Sequence, residues 1–331
     1  MEKIRKPIFK VLYEDKDITR DLKEFILAVR YKDNAGGILD EIEIEVDNRD
    51  RRWFKSWFPD KYDRVRLFIG YEGENLLNCG KFLLDKKVYR GFPETLKLKG
   101  MAIPYENEEF FKTAKSRVFE NTTLKKVVSD VAIGGNLQPL IVLKEDVNIK
   151  RIEQKNVSDS KFLFELAKKF DCVFKVMDEK VVFSSWDSLM EANASFEIKD
   201  EDIIGYMIDD NIHNLYKEAV VEYFDKDTNS LKTYSFKDPY VKFGDTLKIN
   251  EKAEDLNQAK IIAKSALRAN NLLGVKISLD VVGDTKYMAG VNVLVKGFGN
   301  YDGKYFINSA THVISGEGYK IKLELMQCWS Y

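Results

Sequence analysis

The chain has 331 residues, 53 Lys+Arg against 54 Asp+Glu, a formal net charge of -1, and 44% hydrophobic and 12% aromatic residues. That length allows two or three domains that each bury a core, and that apolar content excludes a disordered chain. The even charge balance argues against a nucleic-acid grip, and the scattered Cys79, Cys172 and Cys328 form neither a disulfide framework nor a CxxC metal site.

The N-terminal residues 1–21 place charges every two or three positions and lack an apolar run, so no signal peptide is expected. Nowhere do about 18 uncharged apolar residues follow one another, so no transmembrane helix is expected either. A protein made in the cytoplasm fits both. Residues 1–105 read as short strands. Ile42, Ile44 and Val46 alternate with Glu41, Glu43 and Glu45, which gives one buried and one wet face. Val65, Leu67 and Ile69 repeat the alternation, and Leu76–Leu77, Phe82, Leu84, Leu96 and Leu98 continue it. Glu72-Gly73-Glu74-Asn75, Cys79-Gly80 and Arg90-Gly91-Phe92-Pro93 read as turns, at roughly ten-residue intervals that suggest a small antiparallel barrel or sandwich. Asn34-Ala35-Gly36-Gly37 is a loop, and Trp53, Phe54, Trp57 and Phe58 lie in a connection.

Residues 106–200 change texture. Asn121 or Thr122 can cap a helix carrying Leu124, Val127, Val128 and Val131 on one face, stopped by Gly134-Gly135. Ser158 opens a second, with Phe162, Leu163, Leu166, Ala167 and Phe170, which feeds strands at 172–176 and 180–184. This is a compact α+β unit. Residues 201–331 return to strands at 219–223, 231–236, 275–282, 291–295, 305–311 and 319–325. One helix interrupts them, with a stripe of Leu256, Ala259, Ile262, Ala263, Ala266 and Leu267. Asp302-Gly303 predicts a type I′ hairpin. The fold class expected is therefore α+β, mainly β, with an antiparallel β-barrel domain at 1–105, an α+β domain at 106–200, and a second barrel domain with one inserted helix at 201–331.

Chemistry is sparse. No GxSxG, HExxH, Walker loop or CxxC pair occurs. Gly297-Phe298-Gly299-Asn300-Tyr301-Asp302-Gly303 leads into a strand, whereas a dinucleotide fingerprint must open a helix, so its glycines read as turn residues. His213, in Asp209-Asp210-Asn211-Ile212-His213, has no second histidine nearby to complete a metal set. His312 falls in a strand and reads as a structural histidine. Trp53 and Trp57 suit a hydrophobic plug over a barrel end, or a stacking platform for a sugar or partner. Paired carboxylates for glycoside cleavage are recognised by separation in space, which spacing does not give. No catalytic, cofactor-binding or metal residue is assigned, and no cofactor is expected. A cell-wall hydrolase and a carbohydrate- or receptor-binding β-protein stand as alternatives.

Two stretches resemble a known family. Gln154-Lys155-Asn156-Val157-Ser158-Asp159 followed by Phe162-Leu163-Phe164-Glu165-Leu166-Ala167 resembles the "Q-x-x-x-S-D-x-x-F-L-x-x-L-A" segment of the phage late control D family. Met177-Asp178-Glu179-Lys180-Val181-Val182-Phe183 occupies the place of its following strand, with Asp178-Glu179 where that family usually has a small glycine turn. Met288-Ala289-Gly290-Val291, Gly297-Phe298-Gly299, Asp302-Gly303-Lys304-Tyr305, Thr311-His312 and Gly318-Tyr319 are similar to the family's C-terminal pattern. Looser matches lie at 39–44, Trp57-Phe58-Pro59 and 80–85. The resemblance implies a non-enzymatic baseplate hub of a phage tail or a related contractile injection machine, similar to the N-terminal part of type VI secretion spike proteins. It also implies a homotrimer whose two tube-like β-barrel domains per chain form a pseudo-sixfold ring. Such a ring would adapt the hexameric tail tube to the trimeric central spike. The implied partners are tube, spike, and tape-measure or other baseplate proteins, in a virion tail assembled after synthesis in the host bacterial cytoplasm.

Overall fold

Strand alternation in the first hundred residues produces β1 (Pro7–Tyr13), β2 (Lys16–Asp17), β3 (Ile26–Asn34), β4 (Glu41–Asp47), β5 (Arg64–Tyr71), β6 (Leu77–Arg90) and β7 (Thr95–Met101), with a short helix α1 (Thr19–Leu22). The structure is a computed structural model that describes residues 5–103, 107–177, 179–211, 215–225, 228–272 and 274–329. The middle stretch forms α2 (Glu108–Lys112), β8 (Lys115–Thr123), α3 (Leu124–Gly134), β9 (Gln138–Val142), β10 (Asn148–Val157), α4 (Asp159–Lys169), β11 (Cys172–Met177), β12 (Lys180–Ser185) and α5 (Trp186–Glu191). The remainder forms β13 (Phe196–Lys199), β14 (Ile203–Asp210), β15 (Tyr216–Asp225), β16 (Ser230–Lys237), β17 (Asp245–Ala253), α6 (Leu256–Asn271), β18 (Val275–Val282), β19 (Asn292–Lys296), β20 (Gly303–Ser315) and β21 (Gly318–Gln327). The protein is α+β and mainly β.

The two strand-rich ends share one 13-stranded sheet, ordered β14-β18-β21-β20-β3-β4-β7-β6-β5-β1-β2, with β19 and β13 branching from β20. Their join is the antiparallel β3·β20 ladder, which runs from Asn34↔Ser309 to Ala28↔Ser315. Among the described residues no ladder closes either end into a barrel of its own. Instead β3-β4-β7-β6 and β20-β21-β18-β14 stand as two four-stranded halves on either side of the join. One apolar cluster runs beneath both. Ile42, Ile44, Leu67 and Leu96 from the first half pack with Ile277, Leu279, Ile321 and Leu323 from the second. The Glu/Ile alternation of β4 explains its part: Ile42, Ile44 and Val46 are buried, while Glu43 and Glu45 pair with Arg30 and Lys97 on the opposite face.

Two smaller units stand beside this sheet. The middle one packs α3 and α4 against the β11-β12-β9 and β10-β8 sheets, and Thr123 and Ser158 accept from backbone amides to cap the two helices. In the other, α6 covers one face of β16-β15-β17 with Ala259, Ile262, Ala263 and Leu267.

Two expected turns resolve differently. Cys79-Gly80 lies inside β6, because Leu67 pairs with Gly80 and Phe68 with Asn78, leaving Cys79 as the extra residue of a β-bulge. Gly80 takes the positive φ of +109° found there. Asp302 has φ -64°, so Asp302-Gly303 is no type I′ turn. A one-turn 3-10 helix over Gly299–Tyr301 carries the chain from β19 to β20 instead.

Because the core is shared, damage in either half should be felt by both. Leu67→Ala and Leu323→Ala, each emptying a fully buried site, should cost about 2–5 kcal/mol. In urea denaturation both should shift one common transition of the large sheet. Separate shifts of two transitions would show that the halves unfold independently.

Candidate functional site

Three buried polar networks act as locks, and the first, within the middle unit, is the Gln154–Asp159 segment. Gln154 is buried between β10 and α4: its Oε1 accepts from Arg117 Nε at 2.7 Å, and its Nε2 donates to the Val157 carbonyl (2.8 Å) and Asp159 Oδ1 (2.9 Å). Asp159 is fully buried and also accepts from Lys115 Nζ at 2.8 Å and from Arg117. Ser158 Oγ accepts from the Lys161 amide, capping α4. A glutamine, a serine and an aspartate at these spacings thus tie β8, β10 and the start of α4 into one network in which each polar group has a partner.

A second lock joins the middle unit to the large sheet. Lys175 on β11 reaches into the β3–β4 corner, where Nζ donates to Asp33 Oδ1 (2.7 Å) and the Asn34 carbonyl (2.7 Å) and stands 3.0 Å from Asp40 Oδ2. Asp33 Oδ2 in turn accepts from the Ala289 amide at 2.8 Å. Burial pushes the Asp40 carboxyl up to about 6, against the attraction of Lys175. Beside this cluster the backbones touch. The Gly37 amide donates to the Phe174 carbonyl at 2.9 Å, and a Cβ on Gly36 would fall 2.2 Å from Val173 Cγ1. The Gly36-Gly37 pair is therefore required by close approach.

The third lock is Arg268 on α6, whose guanidinium is buried. Its Nε and Nη2 donate to the two carboxylate oxygens of Asp171, each at 3.0 Å, Nη2 also donates to Asp187, and Nη1 donates to the Trp329 carbonyl at 2.7 Å. Lys264 adds a 3.0 Å bond to Asp187 Oδ2. Burial raises the Asp171 carboxyl against the pull of Arg268. For Asp187 the burial effect is outweighed by Arg268 and Lys264, which hold its carboxyl below the usual range. A cavity of about 420 Å³ lies where the three parts meet, lined by Phe164, Trp186, Ile262, Arg268, Leu272 and Met326.

His312 sits on β20 within the join itself. Nε2 donates to the Tyr287 carbonyl (2.9 Å), and Nδ1 then accepts from the Tyr319 hydroxyl (2.7 Å). Its ring stacks on Tyr31, its cross-strand partner. Burial pushes His312 down to about 4, only partly offset by the bond to Tyr287. It is a neutral structural histidine. His213, with its neighbour Ile212, and Asp178 lie outside the described residues. Asp209 and Asp210 end β14.

Trp53 is buried in the large core and donates from Nε1 to the Asp47 carbonyl at 3.1 Å. Trp57 packs edge-on against it, with ring centroids 5.3 Å apart. Trp57 is half-buried against the core, with the Arg52 guanidinium 4.7 Å from its ring centroid. The Gly297–Gly303 segment is a connection in which Asp302 Oδ1 accepts from the Phe298 amide, and it opens no helix of α type. Burial raises the thiols of Cys79 and Cys172 above their ordinary value. Among the described residues no three His, Cys, Asp or Glu side chains stand together as a metal set, and no helix is long and apolar enough to cross a membrane.

The YQBQ-like family pattern matches residues 99–326. The chain belongs to the YQBQ-like family. This YQBQ-like chain is also similar to the probable baseplate hub proteins of Escherichia phages 186 and P2, at 26% identity over 189 residues and 24% over 178. Those matches take in 56% and 54% of this chain but 47% and 45% of the relatives, so the chain spans about half the length of the curated relatives it matches. Solved structures share the fold along the whole chain. A tail protein from Neisseria meningitidis superposes with a TM-score of 0.73 at 12% identity, covering 97% of this chain and 96% of that one. The 43 kDa tail protein of prophage MuSo2 from Shewanella oneidensis gives 0.71 at 12% identity over 97% and 98%. The E. coli c3393 protein, a type VI secretion component, gives 0.55 at 9% identity over 93% and 75%.

Two measurements check the locks. Arg268→Met should leave Asp171 buried without its cation and Asp187 with Lys264 alone, and cost about 3–5 kcal/mol in urea denaturation. For His312 the folded value near 4 lies below the ordinary 6.5, so between those pH values the unfolded chain binds a proton that the folded chain does not. Stability from His312 is therefore full above about pH 6.5 and is lost toward pH 4, by on the order of 3 kcal/mol. Asp40 works the other way, since its raised value favours the folded form as acid is added. Thermal midpoints measured from pH 7.5 to 4.5 should fall less steeply in His312→Gln than in the wild type.

Proposed function

We propose that this YQBQ-like protein is a structural subunit of a baseplate hub, in a phage tail or a phage-tail-like injection machine. In this reading it forms a homotrimer that adapts the hexameric tail tube to the trimeric central spike. The observation that carries the reading is the pair of hub relatives, whose likeness covers more than half of this chain. The geometry is of a kind such a part needs. Two four-stranded halves lie side by side in one sheet, so three copies present six comparable units. The two tube-like units lie within residues 1–105 and 201–331, and residues 106–200 together with the β15–β17 and α6 insertion of the second stand beside them. Buried ion pairs fix their relative placement, which suits a rigid adaptor. The role uses no catalytic, cofactor or metal residue. The chain is made in the host bacterial cytoplasm and assembled into the tail with tube, spike and tape-measure partners.

The test is assembly. Light scattering on the purified chain, alone and mixed with the tube and spike proteins of the same particle, should give a species of three times the 38.4 kDa chain mass that co-elutes with the spike. A monomer at every concentration that captures neither partner would overturn the reading. Cleavage of peptidoglycan by the isolated chain would replace it with a hydrolase.

A further inference from the structure

We infer that the trimer is built by strand pairing between two specific edges, β14 of one copy and residues 85–90 of β6 in the next. The inference rests on the trimer reading and names its interface.

β14 is an open edge. Among the described residues it pairs only with β18; it runs for 8 residues without proline and exposes Ile204 (54%), Tyr206 (64%) and Met207 (59%). Natural edge strands are blunted by charges, prolines or brevity unless something pairs with them. The middle of β14 carries none of these devices.

A second open edge lies at the far end of the other half. β6 pairs with β5 only as far as Leu83, and from there on with β7 alone. The backbone of Leu84 bonds to Tyr62 and Asp63, and beyond it residues 85–90 have no ladder on their far side among the described residues. β14 and this part of β6 are thus the outer strands of the two four-stranded halves.

Direction and chemistry agree. Each pairing along β14-β18-β21-β20-β3-β4-β7-β6 is antiparallel, so the two outer strands point in opposite senses. A copy added by rotation about an axis along the strands therefore meets its neighbour antiparallel and continues the sheet. Asp209 and Met207 lie on the polar face of the sheet, beside Lys276 and Ser278. Lys86 and Val88 lie on the same face, beside Lys99 and Lys97. A register that sets Asp209 opposite Lys86 also sets Met207 opposite Val88, Tyr206 opposite Tyr89 and Gly205 opposite Arg90. Acid meets base at Asp209 and Lys86 and apolar meets apolar at Met207 and Val88, while Ile208 falls opposite Lys87, whose aliphatic stem it meets; no side chain moves to the wrong face. The contact is head-to-tail, so it ends only when the rotation closes. A second β14 fits less well, since an antiparallel pair with Met207 opposite Met207 would set Asp209 opposite Gly205 and Asp210 opposite Ile204, with no cation for either carboxylate.

Cysteine pairing in the full chain tests this. Met207→Cys/Val88→Cys, mildly oxidised, should give a covalent trimer as the largest band on a non-reducing gel, while neither single variant does. Asp209→Lys should weaken association about tenfold or more by light scattering, and adding Lys86→Asp should restore it. Circular dichroism and the urea midpoint serve as checks that each variant folds. A wild-type trimer with no crosslink and no response to charge reversal would overturn the edge assignment and leave the hub reading standing. A cross-linked dimer from Met207→Cys alone would overturn it in favour of β14·β14 pairing. A wild type that is monomeric at every concentration and with the spike would overturn both.

Discussion

The β3·β20 ladder is the constraint on which the rest depends. It brings together strands from nearly opposite ends of the chain, and the loop entropy of that closure must be met by what the closure buries. What it buries is the shared apolar floor beneath both halves, together with His312, Tyr31 and Tyr319 stacked across the seam. The histidine suits the place because its two ring nitrogens meet one donor and one acceptor while it stays neutral. A charged side chain there would have lost hydration without a counterion.

With the ends joined, the intervening residues have to leave the sheet and return to it. The middle unit and the α6 unit are therefore held from the side, by a small apolar cluster of Met190, Leu272 and Phe306 and by buried ion pairs. Lys175 and Arg268 each cross a boundary as a buried cation received by two carboxylates. Such pairs add little net stability, because desolvation offsets most of the attraction. They do penalise misplacement, since a small slide would leave a buried charge alone. That favours one fixed geometry, which an adaptor between rings of fixed symmetry requires.

The same logic separates what was legible along the chain from what was not. The Glu/Ile alternation of β4, the stripes of α3 and α4 and the serine cap of α4 are local, and each formed as its pattern indicated; the α6 stripe formed apart from Leu256, which is exposed, and α3 is capped by Thr123 in place of Asn121 or Thr122. Cys79-Gly80 misled because glycine serves a bulge as readily as a turn, and the ladder of β5 decided between them. Asp302-Gly303 misled because the loop was longer than the two residues that force a type I′ turn. β14 and β17 went unmarked, as edge strands whose side chains are half exposed lack a clean buried face. The Lys175 and Arg268 locks had no signal in spacing, because both look like solvated surface charges until their partners arrive from elsewhere.

By itself, the sequence determined the class of protein: strand-rich ends around a mixed middle, no transmembrane stretch, a thin inventory of catalytic groups, and ordered segments that resemble tail baseplate hubs. Those features are local, set by side-chain period and by residues near one another in the chain. Only the tertiary structure decided that the two ends form one sheet, that Gln154 and Asp159 belong to a single buried network, and that β14 and the second half of β6 are left as open edges. Pairing between distant strands is chosen by which faces can be buried together, and that choice is made by the whole chain at once.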